Sequence, residues 1–141
     1  MRLGRRFAEE IVAHAREGRA RDVEVCGVLL GQGGEAREVL RVKNVDHDPR
    51  IRYAMDPQGL FGVMRRIDDA GLELVAIYHS HPRTRAYPSE TDRRMAHDEE
   101  GRPWWPGAIY LICSLEDPDH PDLRAFRLFP DHAEDVTLDV A

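Results

Sequence analysis

The run Val23-Glu24-Val25-Cys26-Gly27-Val28-Leu29-Leu30-Gly31 is almost continuously apolar, and it limits the folds open to this chain. A strand with one wet face alternates polar and apolar residues. A run without alternation is expected of a strand covered on both faces. The chain therefore calls for a central sheet with helices packed on it. Leu72 to Tyr78, Ala108 to Leu115 and Leu123 to Phe129 supply further apolar strands. Gly31-Gln32-Gly33-Gly34 reads as a turn, so Glu35 to Val42 forms a hairpin with the first run. Leu3, Phe7, Ile11 and Ala15 lie four apart and predict a helix ended by Gly18. Asp56-Pro57 reads as a helix start, Leu60, Phe61, Met64 and Ile67 as its apolar face, and Gly71 as its end. Ser89 caps a short helix to about Glu99, stopped by Gly101. A last short strand is expected near Val136 to Val140, and the acidic stretch Asp131 to Asp139 as a solvated end. The order predicts an α/β (α+β) fold, a central mixed sheet flanked by helices.

A length of 141 residues fits one domain over residues 1–141. The formal net charge of -6 argues against nucleic-acid binding, which needs a basic face. No apolar run reaches the length needed to cross a bilayer. The basic start Met1 to Arg6 is followed by no apolar core of a secretory signal, so a cytoplasmic location is expected. Cys26 and Cys113 each fall in an apolar strand and are expected as buried free thiols.

His79 and His81 are separated by one residue at the end of a predicted strand. Side chains alternate along a strand, so both imidazoles project from one face. Zinc accepts nitrogen ligands in such a pair. Two surface histidines leaving a strand would look the same. Downstream, Ser89 and Asp92 make a capping-box-like helix start. A carboxylate on a first helical turn is also rigidly placed and able to face the strand end. Two His and one Asp would leave a fourth position open, which separates catalytic zinc sites from structural ones. Glu24 interrupts the apolar run. It reads either as a solvated residue just before the buried part or as a general base beside a metal. His14, His47, His97, His120 and His132 have no second ligand at readable spacing and are taken as surface residues.

Glu24-Val25-Cys26-Gly27, then His79-Ser80-His81, seven residues, Ser89, two residues and Asp92 resemble the signature of the JAMM (MPN+) metalloprotease family. Leu29-Leu30-Gly31, Tyr78 and Pro82 fit the family's usual surroundings, and the resemblance runs from about Val23 to Phe129. It implies a JAMM/MPN-like fold related to the cytidine-deaminase-like architecture. It implies zinc held by His79, His81 and Asp92, Glu24 as the acid/base, and Ser89 as a hydrogen-bond donor to the oxyanion. Family members cleave amide or isopeptide bonds after the C-terminal glycines of ubiquitin or ubiquitin-like proteins. The compact size resembles prokaryotic members that act on sulfur-carrier proteins ending in Gly-Gly or release small adducts from them. Tyr87, in the loop between ligands, and Trp104 and Trp105, after the short helix, are candidates for contacting substrate. A zinc hydrolase of small amides and a non-catalytic scaffold of the same fold are the alternatives.

Overall fold

The computed structural model describes residues 1–141. Its elements run β1 (Arg2–Leu3), α1 (Arg5–Ala20), β2 (Cys26–Gln32), β3 (Glu35–Val42), α2 (Pro57–Ala70), β4 (Glu73–His81), α3 (Glu90–Met95), β5 (Ile109–Ser114), β6 (Asp122–Leu128), β7 (Ala133–Val136) and β8 (Asp139–Val140). Six strands form a mixed sheet in the order β3-β2-β4-β5-β6-β7. Only β4 and β5 pair in parallel. Parallel neighbours need a long crossover, and here the crossover, residues 82–108, carries α3.

Both faces of β2 are covered, which explains its unbroken apolar run. Leu29 joins Tyr78, Leu111, Ile11 and Ala15 on the α1 side. Cys26, Val28 and Leu30 join Ile77, Tyr110 and Val63 on the α2 side. The row that begins at Ile77 continues through His79 to His81, because side chains two apart share a face. The sheet therefore delivers both imidazoles to its α2 side at the end of β4.

Several expectations need correction. Gly18 does not end α1, which continues to Ala20. A Cβ on Gly18 would lie 2.5 Å from Val25 Cγ1 and 2.8 Å from the Val23 carbonyl oxygen, so the glycine marks a close helix–strand approach. Leu3 precedes the helix and pairs with Val140 in a two-stranded parallel ribbon of β1 and β8. In α2 the buried residue is Val63, while Phe61 and Met64 are 65% and 43% exposed; a four-residue apolar face overstated what this short amphipathic helix covers. Helix α3 stops at Met95, well before Glu99. The acidic C-terminal stretch is not simply solvated, since it forms β7 against β6 and β8 against β1. Cys26 and Cys113 are buried and free, as expected.

Gly27 follows Cys26 where Tyr78 crosses the strand. A Cβ there would lie 2.4 Å from the Tyr78 ring and 2.5 Å from the Leu40 carbonyl oxygen. Neither the backbone nor a buried ring can yield cheaply. Gly27→Ala is expected to destabilise the fold by about 1–3 kcal/mol, the usual cost of overpacking, read as a lowered denaturant midpoint. Gly62→Ala, whose Cβ would meet nothing within 4 Å, is the control and is expected to hold or raise the midpoint.

Candidate metal centre

Three segments deliver four side chains to one point. β4 ends in His79 and His81. Ser80, between them, points to the other side and ties β4 to the entry of β2: its Oγ accepts from Val25 N–H at 2.9 Å, and its own N–H donates to the Val25 carbonyl at 3.0 Å. Glu24 stands two residues before the start of β2, which holds it beside the end of β4. It is only 5% exposed, which rules out the solvated reading. Asp92 arrives from the first turn of α3.

That turn is a full capping box. Ser89 Oγ accepts from Asp92 N–H at 2.9 Å, and Asp92 Oδ2 accepts from Ser89 N–H at 2.9 Å. The cap and the ligand are thus one side chain with two jobs. The reciprocal bonds fix the carboxylate on a rigid first turn and aim Oδ2 at both imidazoles, 3.2 Å from His79 Nε2 and 3.1 Å from His81 Nε2. Ligand-capable atoms of Glu24, His79, His81 and Asp92 all lie within 4.8 Å of one another.

The donor set fits a divalent metal. His79 Nε2 and His81 Nε2 face each other at 3.1 Å. His81 Nδ1 lies 2.8 Å from the Arg85 carbonyl, which only accepts, so Nδ1 carries the proton and the Nε2 lone pair is left pointing inward. The three edges of 3.1–3.2 Å compare with about 3.3 Å between neighbouring ligands of a tetrahedral site with metal–ligand bonds near 2.0–2.1 Å. Glu24 Oε1 is buried without a hydrogen-bond partner, and such an atom is costly unless something polar meets it. The buried Oε1 thus joins three converging protein donors at a point where a metal ion could sit.

The electrostatics follow from crowding. Burial pushes the Glu24 carboxyl up to about 8, with His81 opposing and Asp92 reinforcing the shift. Burial also works against charge on Asp92, but His79 and His81 outweigh it and hold the carboxyl well below its ordinary value. His81 is raised despite burial, because Asp92 and the Arg85 carbonyl favour its protonated form.

The remaining sequence candidates lie around this point. Ser89 is exposed at the mouth of the site, and with its oxygen accepting from Asp92 its own O–H is free to donate. Tyr87 lies further out, its ring edge-on to Phe126 at 5.6 Å with the Arg85 guanidinium 4.7 Å above it. Trp104 and Trp105 line an apolar cavity of about 320 Å³ together with Tyr53, Ile77, Met95 and Tyr110. This cavity adjoins the metal cluster, since Tyr53 stacks on His79 at 4.6 Å. Sequence reasoning missed Tyr53 and the Arg85 carbonyl. The first was a lone aromatic in a polar loop; the second is backbone and leaves no residue-type signal. Two histidines taken as surface residues are not free: His97 is buried with Nδ1 2.6 Å from the Arg93 carbonyl, and His14 is half-buried with Nδ1 2.7 Å from the Tyr78 hydroxyl.

Comparison with known proteins agrees with this architecture. The family model for prokaryotic homologs of the JAB domain matches residues 5–129. A desampylase from Haloferax volcanii is 44% identical over 111 residues, covering 75% of this chain and 74% of the relative. A CysO-cysteine peptidase from Mycobacterium tuberculosis is 38% identical over 120 residues, covering 84% and 75%. Among solved structures, protein DSY2949 from Desulfitobacterium hafniense aligns with a TM-score of 0.82 at 30% identity, covering 99% of this chain and 92% of that one. The JAB1/MPN domain protein AF2198 from Archaeoglobus fulgidus aligns with a TM-score of 0.61 at 17% identity, covering 100% and 96%, and shares the fold. The chain belongs to the family of prokaryotic JAB-domain proteins, and its fold is that of the JAMM metalloproteases. No helix is long and apolar enough to cross a membrane.

Proposed function

We propose that residues 1–141 act as one JAMM-type zinc peptidase domain that hydrolyses an amide bond after the C-terminal Gly-Gly of a ubiquitin-like or sulfur-carrier protein in the cytoplasm. The observation that carries this reading is the convergence of Glu24, His79, His81 and Asp92 within 4.8 Å. The names of relatives support the substrate class: one is a CysO-cysteine peptidase, another a probable TtuB-protein conjugate cleaving protease.

His79, His81 and Asp92 are the proposed zinc ligands. Zinc, when bound, supplies Lewis-acid polarisation of the scissile carbonyl and eases loss of a proton from water. Glu24 takes the proton from the attacking water and returns it to the leaving amine. A carboxyl lifted by burial toward neutral pH is suited to move a proton in both directions. The Ser89 O–H donates to the developing oxyanion, and its backbone N–H keeps Asp92 aimed. Arg85 holds His81 in the tautomer whose Nε2 faces the metal. Trp104 and Trp105 shield the approach beside His79 and offer apolar area to the substrate, with Tyr87 at its outer edge.

The test is metal analysis of the purified protein, then assay on a ubiquitin-like protein carrying an extension after Gly-Gly. Stoichiometric zinc and cleavage after the second glycine are expected. A folded protein that neither binds zinc nor is activated by it would overturn the reading, and faster hydrolysis of small acyl-amino acids would overturn its substrate half. Ser89→Ala is expected to lower kcat by about 10²–10³-fold, as for loss of one oxyanion donor. The same change removes the N-cap and should cost about 1 kcal/mol of stability. Kinetics and thermal unfolding on one preparation separate the two losses.

A further inference from the structure

The backbone of Glu24 takes no part in the sheet ladder. Ladder pairing of β2 with β4 begins at Cys26, opposite His79, and Val25 is occupied by Ser80. Both backbone groups of Glu24 turn instead to the loop that follows β3. Its N–H donates to the Pro49 carbonyl at 2.6 Å, and its carbonyl accepts from Asn44 Nδ2 at 2.9 Å.

The Asn44 amide uses every direction it has. Nδ2 donates also to the Arg52 carbonyl at 3.1 Å, while Oδ1 accepts from the Asp46 and Ala54 N–H groups, each at 3.0 Å. The orientation is forced: turning the amide over would set nitrogen against N–H groups and oxygen against carbonyls. The Arg52 carbonyl immediately precedes Tyr53, whose ring stacks on His79. One half-buried side chain therefore joins three things: the backbone of the acid/base, the loop 44–54, and the residue lying over a metal ligand.

We propose that Asn44 is a positioning residue that sets Glu24 against the metal cluster through the two hydrogen bonds of its Nδ2. The Oδ1 bonds fold the loop; the Nδ2 bonds register Glu24 on it. This inference rests on the peptidase reading for its kinetic consequence, but the geometry can be tested apart from it.

Asn44→Asp separates the two halves of the amide. It keeps oxygens to accept from Asp46 and Ala54 and has no donor for the Glu24 and Arg52 carbonyls. Asn44→Ala removes both halves. The first measurement is backbone amide exchange on the metal-free protein. In Asn44→Asp the Glu24 amide is expected to lose at least about tenfold of its protection while the Ala54 amide keeps its own. In Asn44→Ala both should lose it. Wild-type protection of the Glu24 amide in Asn44→Asp would overturn the proposal, whatever the enzyme does. The second measurement is kinetic. Asn44→Asp is expected to lower kcat on the Gly-Gly-extended substrate about tenfold or more, with KM and zinc affinity within about twofold of wild type, because misplacing one catalytic group affects the transition state rather than binding. A simple brace for the loop would leave Asn44→Asp as active as wild type, and would overturn the proposal. An inactive wild type would instead refute the peptidase reading, leaving the amide-exchange result to decide the role of Asn44.

Discussion

Glu24→Gln is expected to lower kcat by about 10²–10⁴-fold, the range supplied by a positioned general acid/base, with zinc content and fold unchanged. The substitution preserves size and keeps an oxygen near the same place. It removes only the ability to take and return a proton. Glu24 is buried and its Oε1 lacks a partner, so a neutral amide is no harder to bury than the carboxyl group it replaces. Stability should hold or rise slightly, and denaturant unfolding in the presence of chelator checks this. Zinc is expected to remain, because His79, His81 and Asp92 make the 3.1–3.2 Å triangle without Glu24. A variant that loses zinc along with activity would make Glu24 a ligand rather than a base, and full activity in the variant would remove it from the chemistry. Substrate binding should persist, so the variant would serve to capture the partner protein.

Much of this site was legible because its chemistry is carried by residue types at short, regular offsets. His79 and His81 share a face through the period-two rule of a strand. Ser89 and Asp92 share a helical turn through the capping box. Glu24 was conspicuous because a carboxylate interrupted an apolar run. What the sequence could not convey was anything set by the way the loops fold. The Arg85 carbonyl orients His81, and the Asn44 amide orients Glu24, yet neither bond follows from residue type or spacing. Tyr53 reaches His79 only because the loop after β3 folds back, which no periodicity announces. The errors in the fold have the same root. Gly18 looks like a stop by local propensity, but packing against Val23 and Val25 gives it a place inside α1. Phe61 and Met64 fit an apolar helical face by spacing, yet the sheet accepts only Val63 as fully buried. The acidic end reads as solvated by composition and is nonetheless paired, because β7 and β8 form ladders in which Glu134, Asp135 and Asp139 stay exposed while Val136 and Val140 pack against the core.

Asp92→Ala is expected to produce the other large effect, weakening zinc binding by about 100-fold or more and abolishing measurable turnover. Loss of an outer hydrogen bond to a ligand already costs 10–100-fold, and here the ligand itself goes. Half of the capping box goes with it, so α3 should fray and the melting temperature should fall in the metal-free protein too. Asp92→Asn separates these effects: it keeps an oxygen for Ser89 N–H but offers zinc a neutral, weaker donor. It should retain most of the stability and little of the zinc. Metal removal from the wild type then has a predictable pH dependence. His81 has its pKa raised in the folded state, so its contribution to metal-free stability is full below its ordinary value of 6.5 and fades as pH rises through the raised value. Glu24, raised from 4.5 to about 8, adds a cost that grows as pH climbs through the same region, because the folded state resists its ionisation. Both act in one direction: protons replace zinc in the empty cluster more fully at pH 6 than at pH 8. A chelator should therefore lower the melting temperature more at pH 8 than at pH 6, and Asp92→Ala should respond far less to chelator at either pH. An equal chelator effect at both pH values in the wild type would mean that the cluster does not couple metal and protons as its geometry requires.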